Sequence, residues 1–75
     1  MDIRSVDDLA AAIRSARKSE GLTQEELALL AGVGRITLTR LERAIGNVSF
    51  ETALAVTAAL GLTITVSARR TPATR

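Results

Sequence analysis

The sequence predicts a mainly helical domain of four to five short helices followed by a single C-terminal β-strand. Three observations carry that expectation. Apolar residues recur at helical spacing in short segments, and each segment is closed by glycine at Gly21, Gly32-Val33-Gly34, Gly46-Asn47 or Gly61. A hydroxyl residue stands three positions ahead of an acid before two of these segments, at Ser5/Asp8 and Thr23/Glu26, the spacing of a capping box. After Gly61 the apolar period changes from about four to two, with Leu62, Ile64 and Val66 alternating with Thr63, Thr65 and Ser67.

The first helix is expected near Val6 to Ser19, with Leu9, Ile13 and Ala16 on one face. Gly21 stops it, and Leu22 turns into the core. Thr23 caps a second helix near Gln24 to Ala31, which carries Leu27, Ala28, Leu30 and Ala31. Gly32-Val33-Gly34 then makes a tight turn around one buried aliphatic residue. A third helix runs from Arg35 to about Ala44. Ser49 caps a fourth, whose Leu54, Ala58 and Leu60 are expected to face inward, with Phe50 also in the core. Residues 1–67 form the domain, and residues 68–75, with Pro72 and no apolar face, form a basic flexible tail.

Seventy-five residues suffice for one domain. Without cysteine there is no disulfide and no thiolate metal site, and without histidine the commonest general base and metal ligand are missing. Triad hydrolases and zinc hydrolases are therefore excluded by inventory. Carboxylate chemistry stays open on those grounds, but one Phe and no Tyr or Trp leave little to wall a deep pocket. The expectation is a non-enzyme with no catalytic residue, no metal and no cofactor. No apolar run approaches the roughly 20 residues that span a bilayer, and Met1-Asp2-Ile3-Arg4 does not open a signal peptide. A cytoplasmic location with no membrane partner is expected.

Charge is unevenly placed. Residues 1–31 carry four basic and six acidic side chains, whereas residues 32–75 carry six basic, all arginine, and two acidic. Arginine offers a planar donor fork suited to phosphates and guanine edges. A helix, a short glycine-containing turn and a second helix form the DNA-binding helix-turn-helix, whose second helix enters the major groove. On the third helix here, Leu38, Leu41 and Ile45 fall on one side and Arg35, Ile36, Thr39, Arg40 and Arg43 on the other, with Glu42 at the edge.

The residues Leu22-Thr23-Gln24-Glu25-Glu26-Leu27-Ala28, Ala31-Gly32-Val33, Arg35, Thr37, Leu38, Leu41-Glu42-Arg43 and Asn47-Val48-Ser49 resemble the Cro/phage-repressor (XRE-type) helix-turn-helix family over residues 6 to 61. The alternating segment from Leu60 to Val66 resembles the C-terminal strand of HipB-type antitoxins within that family. The resemblance implies that Gln24 touches the phosphate backbone. It further implies that Arg35, Ile36, Thr39 and Arg40 reach base edges, that Thr37 or Arg43 contacts phosphate, and that Arg17 and Glu42 form a salt bridge between the first and third helices. Arg35 and Arg40 could each meet a phosphate in place of a base, and Ile36 is either an ordinary exposed aliphatic or a contact for a thymine methyl. Two positions depart from the pattern. Gly34 replaces the usual capping residue of the recognition helix, and Ala44 replaces the usual glycine after the Glu-Arg pair.

The function expected from this is a sequence-specific repressor of duplex DNA, associated with the nucleoid. Its sharper form is the antitoxin of a HipBA-like pair that represses its own operon and holds a HipA-like kinase toxin. Asp7, Asp8, Glu20 and Leu29 would face the toxin. The rivals are a stand-alone phage-like repressor and a helical protein-interaction module that does not bind DNA. A lone strand needs a partner, so Leu62, Ile64 and Val66 are expected to pair with their own copy across a two-fold homodimer, the competing partner being the much shorter Asp2-Ile3-Arg4 within the chain. Such a dimer matches a palindromic operator.

Overall fold

A computed structural model describes residues 2–66 and residue 68; the expectations for Met1 and for the basic tail from residue 69 onward lie outside them. Four helices follow one another: α1 (Val6–Ser19), α2 (Gln24–Ala31), α3 (Arg35–Glu42) and α4 (Phe50–Ala59). There is no fifth helix among the described residues.

Each start is set by local chemistry. Ser5 Oγ accepts from the Asp8 backbone N–H at α1, but Asp8 answers the Arg4 N–H, 2.9 Å away, and not that of Ser5. At α2 the capping box is complete, with Thr23 Oγ1 accepting from the Glu26 N–H and Glu26 Oε1 from the Thr23 N–H. Ser49 caps α4 through the Thr52 N–H. Acids in the first turns of α1 and α2 also face the positive end of each helix dipole.

All four helices end alike. Just past each helix a backbone N–H returns to the carbonyl five positions earlier, from Leu22 to Arg17, Val33 to Ala28, Ile45 to Arg40 and Leu62 to Thr57. This closure requires a left-handed residue in between. At three of the sites it is glycine, but after α3 it is Ala44, at φ 55°. The helix therefore ends at Glu42 and not near Ala44. Ile45, expected on its inner face, lies beyond the helix and is exposed.

Ile13, Leu27, Ala28, Leu38, Leu41 and Val56 form the buried core, with Leu9, Leu22, Val33, Val48 and Leu60 packed around it. The helices meet as α1 on α3, α2 on α3 and α2 on α4. In α4 the buried residues are Ala53, Val56 and Thr57, while Leu54 and Ala58, expected inside, are exposed. Thr57 is tolerated there because its hydroxyl donates to the Ala53 and Leu54 carbonyls, each 3.0 Å away. Phe50, also expected inside, opens the helix at its rim and is 65% exposed.

No strand forms among the described residues. Leu62 to Val66 makes no ladder with residues 2–4 or any other described segment. Ile64 is half-buried and Val66 is 90% exposed, so the apolar side of this segment is only partly covered by the described residues.

Candidate nucleic-acid interface

Helices α2 and α3 are joined by Gly32-Val33-Gly34. Val33 packs on the core and holds the turn down, while Gly32, at φ 71°, reverses the chain direction. Burying Leu38 and Leu41 sets the rotation of α3 and turns its other side outward.

On that outer side Arg35, Ile36, Arg40 and Arg43 are exposed, Arg43 standing at the cap just past the helix. Thr37 and Thr39 are half-buried. α3 contains one acid, Glu42, and it is not at the edge of the exposed face. Its side chain is 1% exposed, so the outer surface is left with arginine and no competing carboxylate from its own helix.

The buried carboxylate organises the base of the interface. Arg17 of α1 donates from Nε to Glu42 Oε2 at 2.8 Å and from Nη2 to Oε1 at 3.1 Å, a two-pronged pair that matches the guanidinium fork. Arg17 Nη1 also donates to the Leu22 carbonyl. Gln24, the first residue of α2, donates from Nε2 to Glu42 Oε1 at 3.1 Å, and its Oε1 accepts from Thr39 Oγ1 at 3.2 Å. Arg14 donates from Nη1 to the Glu42 backbone carbonyl at 2.7 Å, satisfying one of the free carbonyls at the end of α3. No buried side-chain polar atom among the described residues lacks a partner.

Three helices are thus tied at one buried ion. Thr39, expected to face bases freely, has its hydroxyl engaged by Gln24. Gln24 stands beside the exposed face of α3 with one Nε2 hydrogen already given to Glu42. Sequence reasoning did not anticipate the Gln24–Thr39 contact or the Arg14 bond. Only the Arg17–Glu42 pairing had a signal, and it came from the family pattern. At Gly34 the N-terminus of α3 has no side-chain cap, as the residue type implied.

Among the described residues, no group of acidic side chains is arranged to hold a metal ion, and no helix is long and apolar enough to cross a membrane. Residues 13–66 match the helix-turn-helix family. No curated protein matches the chain. Among solved structures, a HipB–O4 20mer complex and a HipA–HipB–O2–O3 complex each superpose with a TM-score of 0.83 at 28% identity, covering 93% of this chain and 99% of theirs. A structure described as MDT protein agrees equally well.

Proposed function

Because this chain belongs to the helix-turn-helix family, we propose that it is a sequence-specific duplex-DNA-binding repressor that lays α3 in the major groove. The observation that carries the reading is the outer face of α3. Arg35, Ile36, Arg40 and Arg43 are exposed there, while the helix's one carboxylate is buried against Arg17. Arg35 and Arg40 reach base edges or the phosphates beside them, and Thr37 and Arg43 lie toward the backbone.

The finer reading is an antitoxin that represses its own operon and neutralises a HipA-like kinase. It draws support from the 28% identical HipB structures, one of them solved with HipA. The toxin-facing surface would lie on the flanks, where Asp7, Glu20 and Leu29 are exposed and Leu29 stands beside a second exposed leucine, Leu30. Asp8 is half-buried and engaged by the Arg4 N–H, so it contributes less. The reading includes a homodimer, in which the segment Leu62 to Val66, without a strand partner among the described residues, pairs with its own copy and spaces two α3 helices about one DNA turn apart.

Binding to duplex fragments from the protein's own promoter tests the core of this reading. Affinity should fall steeply with salt as phosphate counterions are released. Arg40→Ala should cost about 1–3 kcal/mol and relax preference at one base pair if Arg40 meets a guanine. If Arg35→Ala and Arg40→Ala both bind like the unaltered protein, α3 is not the reader. Co-purification with a kinase-like product of the neighbouring gene tests the antitoxin reading separately. Its failure leaves DNA binding intact.

A further inference from the structure

We propose that Thr39 reads its base pair strictly as a hydrogen-bond acceptor, its polarity set by a relay that begins at the buried carboxylate of Glu42. The inference rests on the DNA-binding reading above and adds to it which base chemistry one position selects.

The relay has a fixed direction. A carboxylate paired with an arginine can only accept, so the Gln24 side chain must turn its NH2 end toward Glu42 Oε1. The opposite amide orientation would set two oxygens against each other with no proton between them. Gln24 Oε1 is therefore directed to Thr39, and a contact of 3.2 Å between that carbonyl oxygen and Thr39 Oγ1 needs the hydroxyl proton. Threonine has one such proton. What Thr39 retains for a ligand is the lone pairs of Oγ1 and its methyl group.

A free threonine is ambivalent toward bases, since it can donate or accept. This one is not. In the major groove the groups that donate are the exocyclic amines, N6 of adenine and N4 of cytosine, whereas guanine O6, thymine O4 and the purine N7 atoms accept. Thr39 accordingly favours an amino base over the keto base of the same ring size, adenine over guanine or cytosine over thymine. Gln24 keeps a second Nε2 hydrogen beyond the one given to Glu42, and this serves a phosphate oxygen. One side chain thereby couples backbone docking to the polarity of the reader beside it.

The test uses the full chain and a randomised duplex library, followed by affinities for all four bases at the pair whose preference changes in Thr39→Val. The expected result is a preference of about five- to tenfold for an amino base over its keto counterpart at that pair. Thr39→Ser should keep it and Thr39→Val should abolish it, with affinities read well below the melting temperature of each variant, since Thr39→Val loses the one hydrogen bond to Gln24. Gln24→Ala should weaken binding to every sequence and also flatten the preference at the same pair, because the Thr39 proton is then released. A keto base preferred there, no pair altered by Thr39→Val, or full preference surviving in Gln24→Ala would each overturn the relay. A library in which the unaltered protein enriches no sequence would overturn the DNA reading itself, and the relay with it.

Discussion

Arg17 on α1 and Glu42 on α3 hold each other at 2.8 Å in a pair whose side chains are 13% and 1% exposed, so the carboxylate above all is cut off from water. Removing one member of a buried pair typically costs about 3–5 kcal/mol, because the survivor is left charged and unpaired. Glu42→Ala should lose stability in that range, a large part of the roughly 5–15 kcal/mol that holds a small domain together. Replacing both, as Arg17→Met with Glu42→Leu, should cost clearly less than the two single losses combined. Urea unfolding at one fixed protein concentration checks both statements, and strict additivity would contradict them.

Ala44 and Gly32 occupy the same position in the closure of successive helices, yet one carries a Cβ in left-handed backbone and the other does not. An L-residue pays about 1–2 kcal/mol for that conformation, offset in part by the greater freedom glycine has when unfolded. Ala44→Gly should therefore stabilise the protein by about 0.5–1 kcal/mol. Gly32→Ala should destabilise it by a similar amount, and by backbone strain alone, since a Cβ there would meet nothing within 4 Å. Thermal melting of the two variants should shift in opposite directions.

Gly34 leaves the N-terminus of α3 without a side-chain acceptor. Its φ of −72° is open to any residue, and a Cβ would sit 3.8 Å from Thr37 Oγ1, an ordinary contact. Gly34→Ser supplies the missing cap and reduces the freedom of the unfolded chain, so a gain of about 0.5–1 kcal/mol is expected. An unchanged or lowered denaturation midpoint would show that the serine does not reach the free N–H groups.

These predictions mark where the sequence was legible and where it was not. Thr23 and Glu26 announced α2 because a capping box is a local signal, and Leu38 with Leu41 oriented α3 because its other face is polar. α4 offered no such contrast. Its Ala53, Leu54, Ala55, Val56, Ala58 and Ala59 are apolar nearly all round, so the larger Leu54 looked like the inward residue. The structure instead buries Val56 and hides the Thr57 hydroxyl in its own helix. Phe50 is hydrophobic enough to predict a core position, yet as the first residue of α4 it lies at the rim. At the interface, exposure of Arg35, Ile36 and Arg40 followed from the helical period. The bond from Thr39 to Gln24 joins residues fifteen apart and depends on the angle between two helices, which no local pattern encodes.

The segment from Leu62 to Val66 yields the remaining prediction. It follows α4 without a strand partner among the described residues, and its alternating apolar side is half-covered at Ile64 and open at Val66. Unpaired backbone beside an uncovered apolar row favours pairing with another chain, and an antiparallel pairing with a second copy lets each residue meet its counterpart across a two-fold axis. Sedimentation should accordingly find a dimer for the full chain and a monomer for a chain ending at Gly61. Ile64→Asp places a charge where the two rows would meet, and it should weaken the dimer while leaving the core residues Ile13, Leu27 and Leu38 untouched. Because each half-site then binds alone, the same variant should lose affinity for a palindromic operator far more than for a single half-site. A dimer that persists in both altered chains would move the interface elsewhere, and the exposed Val6, Phe50 and Leu54 would be the next surface to substitute.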